Sequence, residues 1–291
     1  MSENALLAAA AAVFFLLLAA ATWVDMRARV IPDWITVPGV ALGLVAITLM
    51  PGMLLPVEVA QPRSFAPPLP IADVLGAFGG LVSQPPPAWL GARPHPGGLV
   101  LCLGIFLGWW WACTTPYAES RLGPWRLMDP RVLLACVGVA GIAAAWSIGG
   151  VRFVALQTAL IGLAAAAGLV WATREGASRA LGREAMGFGD VTLMAMIGAW
   201  LGWQAAVLVF FLATFIGVAH GIAGLALHRD HELPYGPSLC LAAVAVVVGW
   251  QPLWGAVGGF FADPLALFVG LVAVVALTAL TLALWQRLRV N

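Results

Sequence analysis

Residues 5–24 read ALLAAAAAVFFLLLAAATWV, an almost entirely apolar run of 20 residues. At 1.5 Å per residue, a helix of this length spans about 30 Å, which matches the hydrocarbon core of a bilayer. The only charged side chain before the run is Glu3, so the flank lacks the positive charge of a secretory signal peptide. The run therefore predicts a first membrane span that is retained.

The composition of the whole chain has the same character. Of its 291 residues, 62% are hydrophobic and 9% are charged, whereas about a quarter of the residues of a soluble domain are charged. The mean hydropathy is +0.98. These values exclude a water-soluble globule, and a net charge of +1 provides no basic surface for nucleic acid. We expect an all-α, polytopic membrane helix bundle that is surrounded by lipid.

Apolar runs separated by charged or Pro/Gly-rich breaks predict eight or nine spans. One of them, at 190–201, is only about 18 Å long, so it is either recessed within the protein or shares its crossing with the next run. Residues 51–97 hold 11 of the 20 prolines and are expected to form a non-spanning loop. The predicted spans are 5–24, 34–50, 98–114, 132–149, 153–173, 190–201, 204–227, 237–250 and 264–286.

The arginines predict the orientation of these spans, because short cytoplasmic loops collect basic residues. All 14 basic residues are arginines. If the N-terminus lies outside, 11 of the 14 fall in inner loops and the C-terminus is cytoplasmic. The loops at 25–33 and 174–189 then lie on the same, inner side.

Three aspartates flank predicted spans at this inner face: Asp25, Asp33 and Asp190. A carboxylate beside hydrocarbon is unfavourable unless pairing or function retains it. Asp33 directly precedes an apolar run, which favours a helix-capping role. Asp25 ends a span, where its charge opposes the helix dipole, so it needs either an ion pair with Arg27 or Arg29 or a functional partner.

Asp190 follows Gly187 and Gly189, which permit backbone conformations and close approaches that other residues do not. A helix cap would not need both glycines. Two carboxylates at one inner site cannot comfortably both ionise, so one is expected to hold a proton. This arrangement is typical of an aspartic protease, in which the ionised carboxylate takes a proton from water and the protonated one polarises the scissile carbonyl.

A longer pattern surrounds these residues. Asp25 is followed by Ile31-Pro32-Asp33, residues 184–203 read EAMGFGDVTLMAMIGAWLGW, and residues 234–237 read PYGP. In this order the motifs resemble the type IV prepilin peptidases of bacteria, which are GxGD-type membrane aspartic proteases. The resemblance covers a core of 20–50 and 153–250, within a single transmembrane peptidase domain of 1–291.

The resemblance implies a site and an activity. The activity is cleavage of the basic leader peptide from type IV prepilins or type II secretion pseudopilins, at the cytoplasmic face of the bacterial inner membrane. The hydrolysis needs no metal and no cofactor. The implied catalytic residues are Asp25 and Asp190, and the implied supporting residues are Gly187, Gly189, Pro32 and Asp33.

The chain also departs from that family. Many members carry a zinc-binding domain with paired Cys-x-x-Cys motifs, associated with N-methylation of the product. No such pair occurs here, so we expect peptidase activity without methyl transfer. Segment 51–152, with the Pro-rich loop and two spans, and the final span at 264–286 are expected to be additions to the family core. We interpret the four cysteines as small buried apolar residues: Cys102, Cys113, Cys136 and Cys240.

A transporter with an intramembrane acidic proton or cation site is the alternative function. It would explain Asp25 and Asp190 as well. Against it, the acids cluster at one face and no inverted repeat relates the halves of the chain.

Other small and polar residues within the spans predict helix packing. Small residues four apart let helix backbones approach closely, so Gly104 with Gly108 and Gly198 with Gly202 are expected at helix contacts. His220 is expected to make an interhelical hydrogen bond rather than to act in catalysis.

Overall fold

The structure is a computed structural model, and it describes residues 3–50, 95–118, 130–182, 184, 186–226, 235–257, 261, 269–270, 272–273 and 276. Within residues 3–257 the described parts of the chain form nine α-helices and no strand. The helices are α1 (Glu3–Ala28), α2 (Asp33–Leu49), α3 (Pro96–Ala118), α4 (Pro130–Ile148), α5 (Gly150–Leu181), α6 (Phe188–Leu201), α7 (Trp203–Ala226), α8 (Gly236–Val248) and α9 (Trp250–Val257).

Helix lengths support the predicted membrane bundle. Four helical segments are long and apolar enough to cross a membrane, and four shorter apolar helices accompany them. The long segments are Ala8–Ala28, Pro96–Thr114, Arg152–Ala180 and Trp203–His220, and the short helices are Asp33–Leu49, Val132–Ile148, Phe188–Leu201 and Gly236–Val248. The predicted span at 264–286 and the loop at 51–97 lie almost wholly outside the described residues.

Helix α6 lies at the centre of the bundle. Every residue from Asp190 to Leu201 is buried, because α2, α5, α7 and α8 contact it. Its 14 residues extend about 21 Å, which is shorter than a bilayer core. The run is enclosed by other helices, and whether it is recessed or shares its crossing with the next run stays a prediction. Gly202, with φ 77°, ends α6 immediately before α7 begins.

Glycines allow α5 and α6 to touch backbone to backbone. A Cβ added to Gly162 would overlap the carbonyl oxygen of Gly198 and lie 2.8 Å from Cα of Gly202. A Cβ added to Gly198 would overlap the carbonyl oxygen of Gly162 in turn. The close packing predicted for Gly198 and Gly202 is therefore confirmed.

Helix α2 supports the opposite face of α6. A Cβ added to Gly43 would lie 2.7 Å from the indole of Trp200, and one added to Gly39 would overlap the sulfur of Met196. The indole N–H of Trp200 donates a buried hydrogen bond of 2.8 Å to the carbonyl oxygen of Gly39. Because these contacts hold α6 from both sides, its N-terminal end has a defined place in the bundle.

The packing predicted for Gly104 and Gly108 is wrong. Among the described residues, no atom lies within 4 Å of a Cβ built at either position. Both glycines line an apolar cavity of about 390 Å³ between α3, α5 and α6. A second cavity, of about 320 Å³, lies between α2, α3, α4 and α5. The spacing of small residues permits a close contact but does not supply the neighbouring helix.

Two further predictions need correction. Cys102, Cys113 and Cys240 are buried as expected, but Cys136 is exposed on α4. The inner loop predicted at 174–189 is helical as far as Leu181, where α5 ends. The helix continues beyond the apolar pattern, and its last turns consist largely of polar residues. Two of them, Glu175 and Arg179, lie one turn apart and form an ion pair of 2.9 Å that stabilises these turns.

Candidate active site

Two buried carboxylates meet at one end of the bundle. Asp25 lies in the last turn of α1 with 4% of its surface exposed, and Asp190 lies in the first turn of α6 with 8% exposed. The segments that carry them are in contact, because Gly189, next to Asp190, packs against Ile31 in the linker that follows α1. The inner-face loops that the arginines placed on one side are thus together in space.

The N-terminus of α8 completes the surroundings of Asp25. The backbone N–H of Gly236 interacts with the Asp25 carboxylate, and a Cβ added to Gly236 would overlap Oδ2 of that carboxylate. Oδ2 is buried and has no hydrogen-bond partner within the described part of the chain. The guanidinium of Arg27 lies 4.0 Å from the centre of the Trp23 ring, so an ion pair with Arg27 does not explain why Asp25 is buried.

Asp190 reaches the site because of how α6 begins. The N-cap is Gly187, and the backbone N–H of Asp190 donates a hydrogen bond of 3.3 Å to the carbonyl oxygen of Gly187. Gly187 has an ordinary φ of −68°, and Gly189 is not among the residues of positive φ in the described chain. The expectation of unusual backbone conformations at these glycines is therefore wrong.

Close approach is required at only one of the two glycines. A Cβ added to Gly189 would lie 2.9 Å from both the Cβ and the carbonyl oxygen of Ile31. Among the described residues, a Cβ added to Gly187 would meet only the amide nitrogen of Gly189, at 4.0 Å. Gly189 is thus the glycine that lets the start of α6 pack against the linker between α1 and α2.

Pro32 and Asp33 lie on that linker and at the start of α2. Pro32 is the N-cap, with an extended conformation (φ −82°, ψ 140°), and Asp33 is the first helical residue. Asp33 is therefore not the N-cap that the sequence favoured. Because Pro32 takes the N-cap position, the helix starts one residue earlier than it would with Asp33 as the cap. Asp33 still lies in the first turn, where the helix dipole favours its charge, and it lies near Cys113 of α3.

The structure adds three residues to which the sequence assigned no role: Ile31, Tyr235 and Gly236. Burial raises the pKa of the Tyr235 phenol, which is hydrogen bonded to Thr214 and close to the charge of Asp190. Tyr235 and Gly236 belong to the PYGP motif, so their presence near the site could have been expected. Ile31 belongs to the Ile31-Pro32-Asp33 motif, but only the fold shows that it packs against Gly189 and Gly236.

His220 lies in α7, and its Nδ1 is 3.2 Å from the hydroxyl oxygen of Ser238 in α8. The predicted interhelical hydrogen bond is confirmed. This contact ties the two helices together on the side where Tyr235 packs against Gly217 of α7: a Cβ added to Gly217 would lie 3.6 Å from the phenol ring.

Part of the chain is similar to a known protein family. Residues 125–222 match the model of the type IV leader peptidase family. This region contains α4, α5, α6 and most of α7, and therefore Asp190. Asp25 lies outside it. No solved structure matches the chain.

Curated relatives carry the same kind of name. The chain is 41% identical over 108 residues to the prepilin leader peptidase/N-methyltransferase of Aeromonas hydrophila, which is 35% of each chain. It is 40% identical over 78 residues to the protein of that name from Pseudomonas aeruginosa, 25% of each chain. For Burkholderia pseudomallei the identity is 33% over 110 residues, 37% of this chain and 36% of the relative. The matches thus span between a quarter and slightly more than a third of these relatives' length.

Proposed function

We propose that this chain, which carries a type IV leader peptidase domain, is a membrane-embedded aspartic endopeptidase. Its substrates in this proposal are type IV prepilins or type II secretion pseudopilins, from which it removes the leader peptide. The observation that carries the proposal is the buried pair of Asp25 and Asp190. Asp25 lies outside the residues that match the family model. Its place near Asp190 in the fold therefore supports the proposal independently of that match.

The arrangement suits hydrolysis of a peptide bond. One carboxylate, ionised, takes a proton from a water molecule as its oxygen attacks the scissile carbonyl carbon. The other carboxyl group, protonated, donates a hydrogen bond to the carbonyl oxygen as negative charge develops there. The first carboxyl group then gives the proton that it took from water to the leaving amine nitrogen, and the bond between carbon and nitrogen breaks. Burial favours this division, because two adjacent carboxylates out of water do not both ionise readily.

The setting of the reaction follows from the helices. We place the eight or nine predicted spans in the bacterial inner membrane, with the N-terminus outside and Asp25 and Asp190 at the cytoplasmic face. In this arrangement the active site occupies a groove open to the cytoplasm, where the leader of a membrane-anchored substrate arrives. The core of 20–50 and 153–250 performs the hydrolysis, and the segment 51–152 and the span 264–286 are additions to it.

The test is cleavage of a prepilin by the full chain in bacterial membranes, followed by the shift of the processed pilin on a gel. Asp25→Asn and Asp190→Asn should each lower the rate by at least about a hundredfold, because each removes a group that transfers or shares a proton. Glu175→Gln is the matched control. Glu175 is an acidic residue of α5 whose surface ion pair with Arg179 contributes little.

Processing that persists in either aspartate variant would refute the proposal. The transporter alternative predicts a different outcome: proton or solute flux in proteoliposomes that depends on Asp190, with no cleavage. The names of the curated relatives support the peptidase and not the transporter.

A further inference from the structure

Ile31 packs against two glycines, each of which lies next to one of the two carboxylates. It lies in the short linker between α1 and α2 with 5% of its surface exposed. On one side, its Cβ, carbonyl oxygen and amide nitrogen lie 2.9, 2.9 and 3.2 Å from a Cβ built on Gly189. On the other side, its Cδ1 lies 2.8 Å from a Cβ built on Gly236. There is thus no spare space between Ile31 and either glycine.

Each of these glycines lies beside one of the two carboxylates. Gly189 immediately precedes Asp190 in the first turn of α6. Gly236 begins α8, and its Cα packs against the carboxylate of Asp25: Cγ of Asp25 lies 3.1 Å from a Cβ built on Gly236. One side chain therefore lies between the segment that carries Asp190 and the segment that faces Asp25.

We infer that Ile31 is a positioning residue that sets the separation of the Asp25 and Asp190 carboxylates. The inference rests on the proposed function and adds to it the element that aligns the two acids. Close packing resists compression and leaves little room for sliding. The backbone and Cβ of Ile31 therefore fix how near α6 approaches the linker, and its Cδ1 fixes how near α8 approaches it. Removing the outer carbons of Ile31 leaves a gap that Gly236 can enter, whereas the contacts with Gly189 remain.

The test compares Ile31→Ala with two matched controls in the full chain. Val30 is the neighbouring β-branched residue and is 62% exposed, so Val30→Ala changes the same linker without touching the site. Ile47 is buried to the same degree, at 4% exposed, and lies about 20 Å away toward the other end of α2. Ile47→Ala therefore reproduces the general cost of a cavity in the core.

We expect Ile31→Ala to lower kcat for prepilin cleavage by about a hundredfold, because misplacement of reacting groups by about 1 Å has effects of that size. KM should stay within about twofold of the unmodified chain, since the substitution does not remove a substrate contact. Both controls should keep kcat. Ile31→Val, which lacks only the outermost carbon, should fall between Ile31→Ala and the unmodified chain, and it serves if Ile31→Ala does not fold.

A second readout is independent of cleavage. Cysteines replace Asp25 and Asp190 in a chain whose native cysteines are changed to alanine, and a short bifunctional thiol reagent measures how often the two positions come within reach. Ile31→Ala or Ile31→Val should change the cross-linking yield, whereas Val30→Ala and Ile47→Ala should not. If the unmodified chain cleaves no prepilin, the proposed function fails and the cross-linking alone decides the role of Ile31.

Three results would overturn the inference. The first is a cross-linking yield that Ile31→Ala and Ile31→Val leave unchanged, whatever happens to turnover. The second is a loss of kcat in Ile47→Ala as large as in Ile31→Ala, which would indicate general destabilisation. The third is a change in KM alone, which would make Ile31 a substrate contact.

Discussion

Two regions of this bundle contain glycines with the same spacing and opposite surroundings. Gly198 and Gly202 lie against the backbone of α5, where a Cβ would overlap a carbonyl oxygen. Gly104 and Gly108 lie beside a cavity of about 390 Å³, with no described atom within 4 Å of an added Cβ. A four-residue repeat of glycines therefore permits close contact, but the neighbouring helix decides whether contact occurs.

The region around Gly198 and Gly202, called the tight region below, also carries the candidate site. Helix α6 is held by α5 through glycines and by α2 through the hydrogen bond from Trp200 to Gly39. Such packing is difficult to deform, so it can hold Asp190 in one place relative to Asp25. The region around α3 and α4 has two cavities, although Gly138 of α4 packs closely against the ring of Phe106 in α3. Substitutions in the two regions should therefore have different effects.

The largest effect is expected where the tight region meets the site. Gly189→Ala places a Cβ 2.9 Å from two atoms of Ile31, one of them a backbone oxygen, so the start of α6 must shift. Prepilin cleavage should fall by about a hundredfold. Gly187→Ala is the matched control in the same motif, because its added Cβ meets only one atom, at 4.0 Å. Initial cleavage rates in membranes measure both, and equal losses in the two variants would contradict the contact with Ile31.

A smaller effect, on stability, is expected inside the tight region. Gly198→Ala forces α5 and α6 apart and should cost about 1–3 kcal/mol in the free energy of unfolding. Gly104→Ala, the same change beside the cavity, should be neutral or stabilising by up to about 1 kcal/mol, because alanine favours the helix over glycine. Thermal unfolding in detergent compares the two. A destabilised Gly104→Ala would show that another part of the chain fills the cavity.

The smallest effect concerns two tryptophans whose indole N–H groups are buried, one in each region. Trp200 donates to Gly39, whereas the indole N–H of Trp109 is buried without a partner among the described residues. Both Trp→Phe substitutions shorten a packed ring, but only Trp200→Phe removes a hydrogen bond. Trp200→Phe should therefore be less stable than Trp109→Phe by about 1 kcal/mol. Melting temperatures of the two variants under the same conditions give the comparison, and the reverse order would be inconsistent with this bond.

Much of the fold could be predicted from the sequence because the bilayer imposes simple rules. Apolar runs of sufficient length become helices, since every backbone polar group in hydrocarbon must be satisfied within its own segment. The helices α1, α3, α4 and α7 begin and end within a few residues of the predicted spans, although α1 and α3 each continue for one more turn at the C-terminal end. The prediction was poorer for α5, whose last turns are polar and continue beyond the apolar run.

The candidate site was only partly predictable. Asp25 and Asp190 stand out in the sequence because charge is scarce near the spans and burying it is unfavourable. The contacts that bring them together are not visible there. Ile31 is an apolar residue like many others, and Gly187 and Gly189 look equivalent although only Gly189 is in close contact. Such contacts depend on which residues face each other after helices distant in sequence have packed.

Hydropathy and charge are properties of single residues and short runs, so the solvent, the helical class and the two conspicuous carboxylates can be inferred from the sequence alone. Packing is a property of pairs of surfaces, and a single helix does not specify the surface that it meets. The fold is therefore needed to show that α6 is buried at the centre, that Gly198 is packed whereas Gly104 is not, and that Ile31 lies between Gly189 and Gly236.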